Sequence, residues 1–201
     1  MTAYKHPKGS EKVYDHLLQY KWAKSIDKKC GIYGIAIDDT YIYIGQSASL
    51  LRRIADHQFW MKNDNNEESP NEQLYKLLRE ALMRDRKVYF VIMALFELDI
   101  SFSAKQVLLD TYEAQMIQTK LPIANKAIPD VYGNIPYIQT LHVNDDNIDQ
   151  FFAPKFVERR DFLDVDLRKI YGHVYNPYYD EKLKNGLYVY KYTIVGAEES
   201  A

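Results

Sequence analysis

The stretch Gly31-Ile32-Tyr33-Gly34-Ile35-Ala36-Ile37-Asp38-Asp39-Thr40-Tyr41-Ile42-Tyr43-Ile44-Gly45 decides how this chain reads. Two runs rich in β-branched and aromatic residues flank a short polar turn, the pattern of a β-hairpin. Alternate residues of a strand share a face, so Tyr33, Ile35 and Ile37 lie together, and so do Tyr41 and Tyr43. The turn length decides whether the two sets meet. A three-residue turn over 38–40 pairs Ile37 with Tyr41 and Ile35 with Tyr43, which makes Tyr33 and Tyr43 diagonal neighbours on one face. A two-residue turn would put them on opposite faces. A shared tyrosine site therefore requires the longer turn, and that turn is the expectation.

Outward from the hairpin, the apolar residues recur at helical spacing. Residues 11–29 read as one helix, with Val13, Leu17, Leu18, Trp22 and Ile26 on a stripe and Ser10 as its cap. A second helix covers 49–62, capped by Ser47 or Ser49, and a polar loop follows over 63–70. A third covers 71–86, with Leu74, Leu77, Leu78, Ala81 and Leu82 apolar. Residues 88–98 form a long apolar strand, expected at the centre of the sheet. A fourth helix covers 104–120, capped by Ser103 and stopped by Pro122. Beyond Lys126 the texture changes to recurrent Pro and Gly, and 187–195 reads as a final strand. The class is α+β: a small three-stranded antiparallel sheet flanked by helices. It divides into an N-terminal helical segment (1–30), a central domain (31–126) and a C-terminal extension (127–201).

Composition narrows the function classes without choosing one. No apolar run reaches the roughly 18 residues of a membrane span. The polar first ten residues lack the apolar core of a secretory signal. The single Cys30 excludes an internal disulfide and a cysteine-based zinc site. A cytoplasmic protein is the expectation. The net charge of −2 does not advertise nucleic acid. Its distribution is uneven: residues 1–62 hold 10 Lys/Arg against 6 Asp/Glu, and residues 129–201 hold 8 against 12. Taken alone, this imbalance is too small to separate a DNA-facing side from chance. The lysines of the N-terminal segment, Lys21, Lys24 and Lys28 among them, could follow a DNA backbone or form a solvated face.

The pair Gly31-Ile32-Tyr33 and Tyr43-Ile44-Gly45, on two arms of one hairpin, resembles the signature of the GIY-YIG nuclease family. The resemblance continues along the chain. Arg53 stands eight residues after Gly45 and His57 four residues later. Glu113 falls on a later helix, and Asn125 follows Pro122. It spans about residues 31–126. Two features of the residues themselves agree. Arg53 and His57 are spaced i, i+4 and project from one side of their helix. Glu113 sits between Leu109 and Met116/Ile117 on an apolar stripe, where a carboxylate is rare unless paired or bound to metal.

What the resemblance implies is a DNA endonuclease of the small stand-alone or restriction type acting on double-stranded DNA. Its catalytic residues would be Tyr33, Tyr43, Arg53, His57 and Glu113, supported by Gly31, Gly45 and Asn125. Glu113 would hold one divalent cation, Mg²⁺ or Mn²⁺, whose hard character suits oxygen ligands. Arg53 would counter the charge of the pentavalent phosphorus. Tyr33 or Tyr43 would take the proton of the attacking water, and His57 would relay it. Several family members carry a lysine just after the second motif, where this chain has Gln46. With that cation absent, more of the proton transfer would rest on His57. The acidic extension 127–201 suits a homodimer contact or a protein partner better than phosphate. The rival class is a non-catalytic nucleic-acid-binding module on the same scaffold, for which a metal carboxylate has no use.

Overall fold

The computed structural model describes residues 6–63, 69, 71–97, 99–130, 144–150 and 154–158, together with the backbone of 188–189 and 194–195. The architecture is α+β. Strands β1 (Cys30–Ile37), β2 (Thr40–Ser47) and β3 (Val88–Phe96) form an antiparallel sheet in the order β2-β1-β3. Helices α1 (Ser10–Leu17), α2 (Lys21–Ile26), α3 (Leu50–Lys62) and α4 (Glu72–Met83) share a core with one face, and α5 (Phe102–Lys120) packs on the other. The first core gathers Leu17, Ala23, Ile26, Leu50, Ile54, Leu74, Leu78 and Phe90 around Tyr33, Ile35 and Ile37. The second gathers Ile32, Ile44, Ala94, Phe96, Leu108, Leu109 and Ile117. Alternation along β1 assigns Ile32 to one and Tyr33 to the other, as a strand buried on both sides requires.

The hairpin differs from expectation in its turn and agrees in its register. Only Asp38 and Asp39 connect the strands, because Thr40 pairs with Ile37. Asp38 takes the left-handed conformation at φ 50°, which aspartate tolerates. It is tied to the start of β3: its N–H donates to Lys87 O at 2.8 Å, and its carboxylate accepts from Lys87 N and from Arg86. A two-residue turn alone would have separated the tyrosines. A β-bulge restores them: Ala36 pairs with Tyr41 and Ile35 with Tyr43, which leaves Ile42 as the extra residue. Tyr33 and Tyr43 therefore share a face, with ring centroids 6.1 Å apart. A second bulge, in β3, lies between the pairs Ile32–Ala94 and Tyr33–Ile92.

Strand β1, not β3, is central among the three antiparallel strands. The far side of β3 carries two short parallel strands, β6 (Tyr188–Val189) and β7 (Ile194–Val195), paired with it in one register and both within the strand expected over 187–195, whose remaining residues lie outside the described ones. Strand β4 (Ala127–Pro129) pairs antiparallel with β5 (Phe156–Glu158) beside α5. Most of the rest of the extension, and most of the expected 63–70 loop, fall outside the described residues.

The single helix expected over 11–29 is two. Gly9, at φ 97°, takes the N-cap position in place of Ser10. Ser10 is buried instead, its hydroxyl donating to Pro7 O and accepting from Arg52. The chain leaves the helix at Leu18 and extends at Tyr20 before re-entering at Lys21. The break lets Leu17, Ala23 and Ile26 all reach the same core, while Lys21, Lys24 and Lys28 face solvent. Helix α5 begins two residues earlier than expected, and Ser101 rather than Ser103 caps it, accepting from Ala104 N at 3.2 Å. No helix among the described residues is long and apolar enough to cross a membrane.

Candidate active site

A cavity of about 440 Å³ opens at β2, the edge strand, where both helical layers contribute to its wall. Tyr33, Tyr43, Arg53, His57 and Glu113 all line it, as does Asn125. The hairpin arms β1 and β2, the helices α3 and α5 and the loop after α5 supply these residues, so only the folded chain brings them together.

Gly45 and Gly31 make room for this arrangement. Gly45 is the cross-strand partner of Tyr33. A Cβ there would lie 2.6 Å from the Tyr33 hydroxyl oxygen and 2.9 Å from Tyr43 Cε1. Tyr33 cannot retreat, since its ring stacks on Phe90 at 4.7 Å and only 2% of the residue is exposed. At Gly31 a Cβ would meet Ala94 O at 2.1 Å, so any side chain would push β1 off β3. We expect Gly45→Ala to cost roughly 1–3 kcal/mol through overpacking and to break the bond between Tyr33 and His57. A thermal melt reads the first effect. An unchanged Tm would mean that Tyr33 has slack it does not show.

Asn125 acts as a bracket. Its Oδ1 accepts from Ile44 N at 2.9 Å and its Nδ2 donates to Ile44 O at 2.7 Å, which completes the outer edge of β2 one residue before Gly45. Asn71 extends the brace: it caps α4 by accepting from Leu74 N and donates to Ala124 O at 3.0 Å. A buried asparagine with both ends bound to the main chain of one residue fixes backbone, not substrate.

His57 lies between two phenols. The Tyr33 hydroxyl is 2.9 Å from its Nε2 and the Tyr75 hydroxyl 2.9 Å from its Nδ1. Burial, assisted by Arg53, holds the imidazole pKa well below its usual value, so it is neutral at pH 7. A neutral imidazole has one N–H and one bare nitrogen, so one tyrosine donates to it and the other accepts. Burial also raises the Tyr33 pKa well above 10, with Tyr43 acting in the same direction and Arg53 opposing both. Tyr33 is therefore a phenol that can pass a proton on, not a standing phenolate.

The carboxylate side of the cavity is built around Gln46. Its Nε2 donates to Glu113 Oε2 at 2.8 Å and to Asp110 Oδ1, and its Oε1 accepts from Gln106 Nε2 at 3.0 Å. A neutral amide thus joins two acids that share one face of α5. Burial pushes the Glu113 pKa up to about 7. Neighbouring Asp110 adds to that rise, and the Gln46 bond and Arg53 resist it. An acid held this far above its ordinary range, beside a second acid and open to a cavity, is one that a divalent cation would return to its charged form. The donors fit a hard cation incompletely: two carboxylates, with water or phosphate oxygen to fill the rest. Among the described residues no group of three or more His, Cys, Asp or Glu could hold a metal alone.

Comparison with protein-family models, with curated proteins and with solved structures gave no match.

Sequence reasoning missed Tyr75, Asp110 and Phe156 as parts of this cavity wall. Asp110 stands three residues before Glu113 on α5, a spacing that could have found it. Tyr75 had no such signal, because it reads as one more aromatic on the apolar side of α4. Phe156 reaches the site from the C-terminal extension, beyond the reach of local pattern.

Proposed function

We propose that this chain is a metal-dependent endonuclease of the GIY-YIG type that hydrolyses phosphodiester bonds in double-stranded DNA. The observation that carries this reading is the bond from Tyr33 to a neutral His57, in one cavity with Arg53 and Glu113. Hydrolysis needs a water stripped of its proton, a cation against the crowded phosphorus and help for the departing 3′ oxygen. Tyr33 Oη would accept the proton of the water as its own passes to His57 Nε2. Tyr43, beside it on the shared face, would orient the water and the phosphate. Arg53 would bind two non-bridging oxygens and gain strength as charge builds on them. Glu113, with Asp110 beside it, would hold Mg²⁺ or Mn²⁺, which when bound supplies Lewis-acid stabilisation of the phosphate and leaving oxygens.

Incubation of supercoiled plasmid with the protein in Mg²⁺, in Mn²⁺ and in EDTA tests the reading. Nicked or linear product with either metal, and none in EDTA, is the expected result. Cleavage that survives EDTA would remove the metal from the scheme. Binding without cleavage under all three conditions would make the chain a nucleic-acid-binding module.

A further inference from the structure

We propose that Tyr75 is a positioning residue. It fixes the tautomer of His57 and gives the proton collected at Tyr33 an exit on the far side of the ring. The inference rests on the nuclease reading and extends it to a residue outside the hairpin, α3 and Glu113.

The geometry supplies the route. Tyr33, His57 and Tyr75 form an unbroken chain of two hydrogen bonds, each 2.9 Å, from one ring nitrogen to the other. All three are buried, with Tyr75 only 4% exposed, yet all three border the same cavity. A second proton on His57 is disfavoured. The ring is out of water, and the Arg53 charge adds a repulsion to any imidazolium formed there. A histidine that cannot become a stable cation can still conduct, if one nitrogen loses a proton as the other gains one.

Water gives a proton to Tyr33 Oη while the water oxygen bonds to phosphorus. Tyr33 Oη–H passes to His57 Nε2, His57 Nδ1–H passes to Tyr75 Oη, and Tyr75 Oη–H passes to water in the cavity. One proton enters and one leaves. No residue changes net charge, and His57 finishes as its other neutral tautomer. The resting state this requires has Nδ1 protonated, donating to Tyr75, and Nε2 bare, accepting from Tyr33. Tyr75 selects that state because its oxygen is the acceptor that Nδ1–H needs in a buried site.

Tyr75→Phe removes this oxygen and keeps the ring that packs near Trp60, at 6.4 Å between centroids. Two measurements decide the matter. The first is the ¹⁵N spectrum of His57 at pH 7 in the metal-free protein, which reads tautomers without any catalysis. The expected result is an Nδ1–H tautomer in the wild type and a shift toward Nε2–H in Tyr75→Phe. The second is single-turnover cleavage with Mg²⁺. Tyr75→Phe should lower the rate by roughly tenfold, about the worth of one lost hydrogen bond in the transition state, with DNA affinity unchanged. On a His57→Asn background the same substitution should cost less than about twofold, since non-additivity marks residues that act as a unit.

An Nε2–H tautomer that persists in both proteins would overturn the proposal. So would an unchanged rate, or an equal loss on both backgrounds, because Tyr75 would then act without His57. If the wild type cleaves no DNA, the nuclease reading and the relay built on it fail together. A spectrum with the expected tautomer and its shift would still show Tyr75 positioning the ring.

Discussion

Replacing Glu113 by glutamine should reduce Mg²⁺-dependent cleavage by on the order of 10³-fold or more, because a neutral amide is a far weaker ligand for a hard cation. The substitution keeps shape and an oxygen that can still accept from Gln46, 2.8 Å away in the native protein. DNA affinity should change little, since in this reading the carboxylate would hold the cation and not contact the phosphate backbone. Stability gives a second readout, independent of catalysis. Glu113 has its folded pKa raised to about 7. The native state therefore binds this proton more tightly than the unfolded chain, and the metal-free protein loses stability from this group as pH rises from about 4.5 through 7. A cation reverses the penalty by stabilising the charged form, so the Tm gain on adding Mn²⁺ should grow between pH 5 and pH 8. Glutamine removes both effects: the metal-free variant should be at least as stable as the wild type at pH 8 and gain nothing from Mn²⁺. Full cleavage by Glu113→Gln would refute the metal role. A wild-type Mn²⁺ gain that is flat with pH would refute the coupling to this carboxyl.

Arg53→Lys should lower turnover by on the order of 10²-fold while DNA affinity falls little. The Arg53 charge acts on Tyr33, on His57 and on Glu113, three of the groups assigned to the reaction. Lysine keeps that charge. It loses the planar fork that grips two oxygens at once, so the loss should appear where the phosphorus is most crowded, in the rate and not in binding. Arg52 is an internal control. It turns about 100° away around α3, donates to Ser10 Oγ at 3.1 Å and Glu11 Oε1 at 2.9 Å, and lies over the Tyr14 ring. Its alanine variant should lower Tm by loosening α1 and leave turnover alone. If Arg52→Ala stops cleavage and Arg53→Lys does not, both arginines have been assigned to the wrong sides of the helix, and the place of His57 falls with them.

Much of this site was legible because its residues obey short periods. Tyr33 and Tyr43 sit on a hairpin that alternation reveals, Arg53 and His57 stand one helical turn apart, and Glu113 interrupts an apolar stripe. What escaped notice depended on compensation. The turn at Asp38-Asp39 is one residue shorter than alternation alone would demand, and the bulge at Ile42 makes up the difference. Pattern reasoning counted the turn and could not count the bulge, which no residue type announces. The N-terminal stripe from Val13 to Ile26 looked continuous, since a broken helix and a straight one can bury the same residues. Gln46 read as a missing cation and proved to be the amide that joins Asp110 to Glu113.

The sequence by itself determined the α+β class, the hairpin, the helices that frame it and the sides on which Arg53, His57 and Glu113 stand, because these follow from periods of two and 3.6 residues. Only the tertiary structure decided which side chains meet across elements. It placed Tyr75 of α4 on the second nitrogen of His57, Asn125 on the main-chain N–H and C=O of Ile44 and Tyr33 in the space left by Gly45. It also withdrew His57 and Tyr33 from water, which makes the imidazole neutral and keeps the phenol protonated. Such contacts join residues on different elements. Their strength comes from burial, and burial belongs to the folded chain, not to any stretch of its sequence.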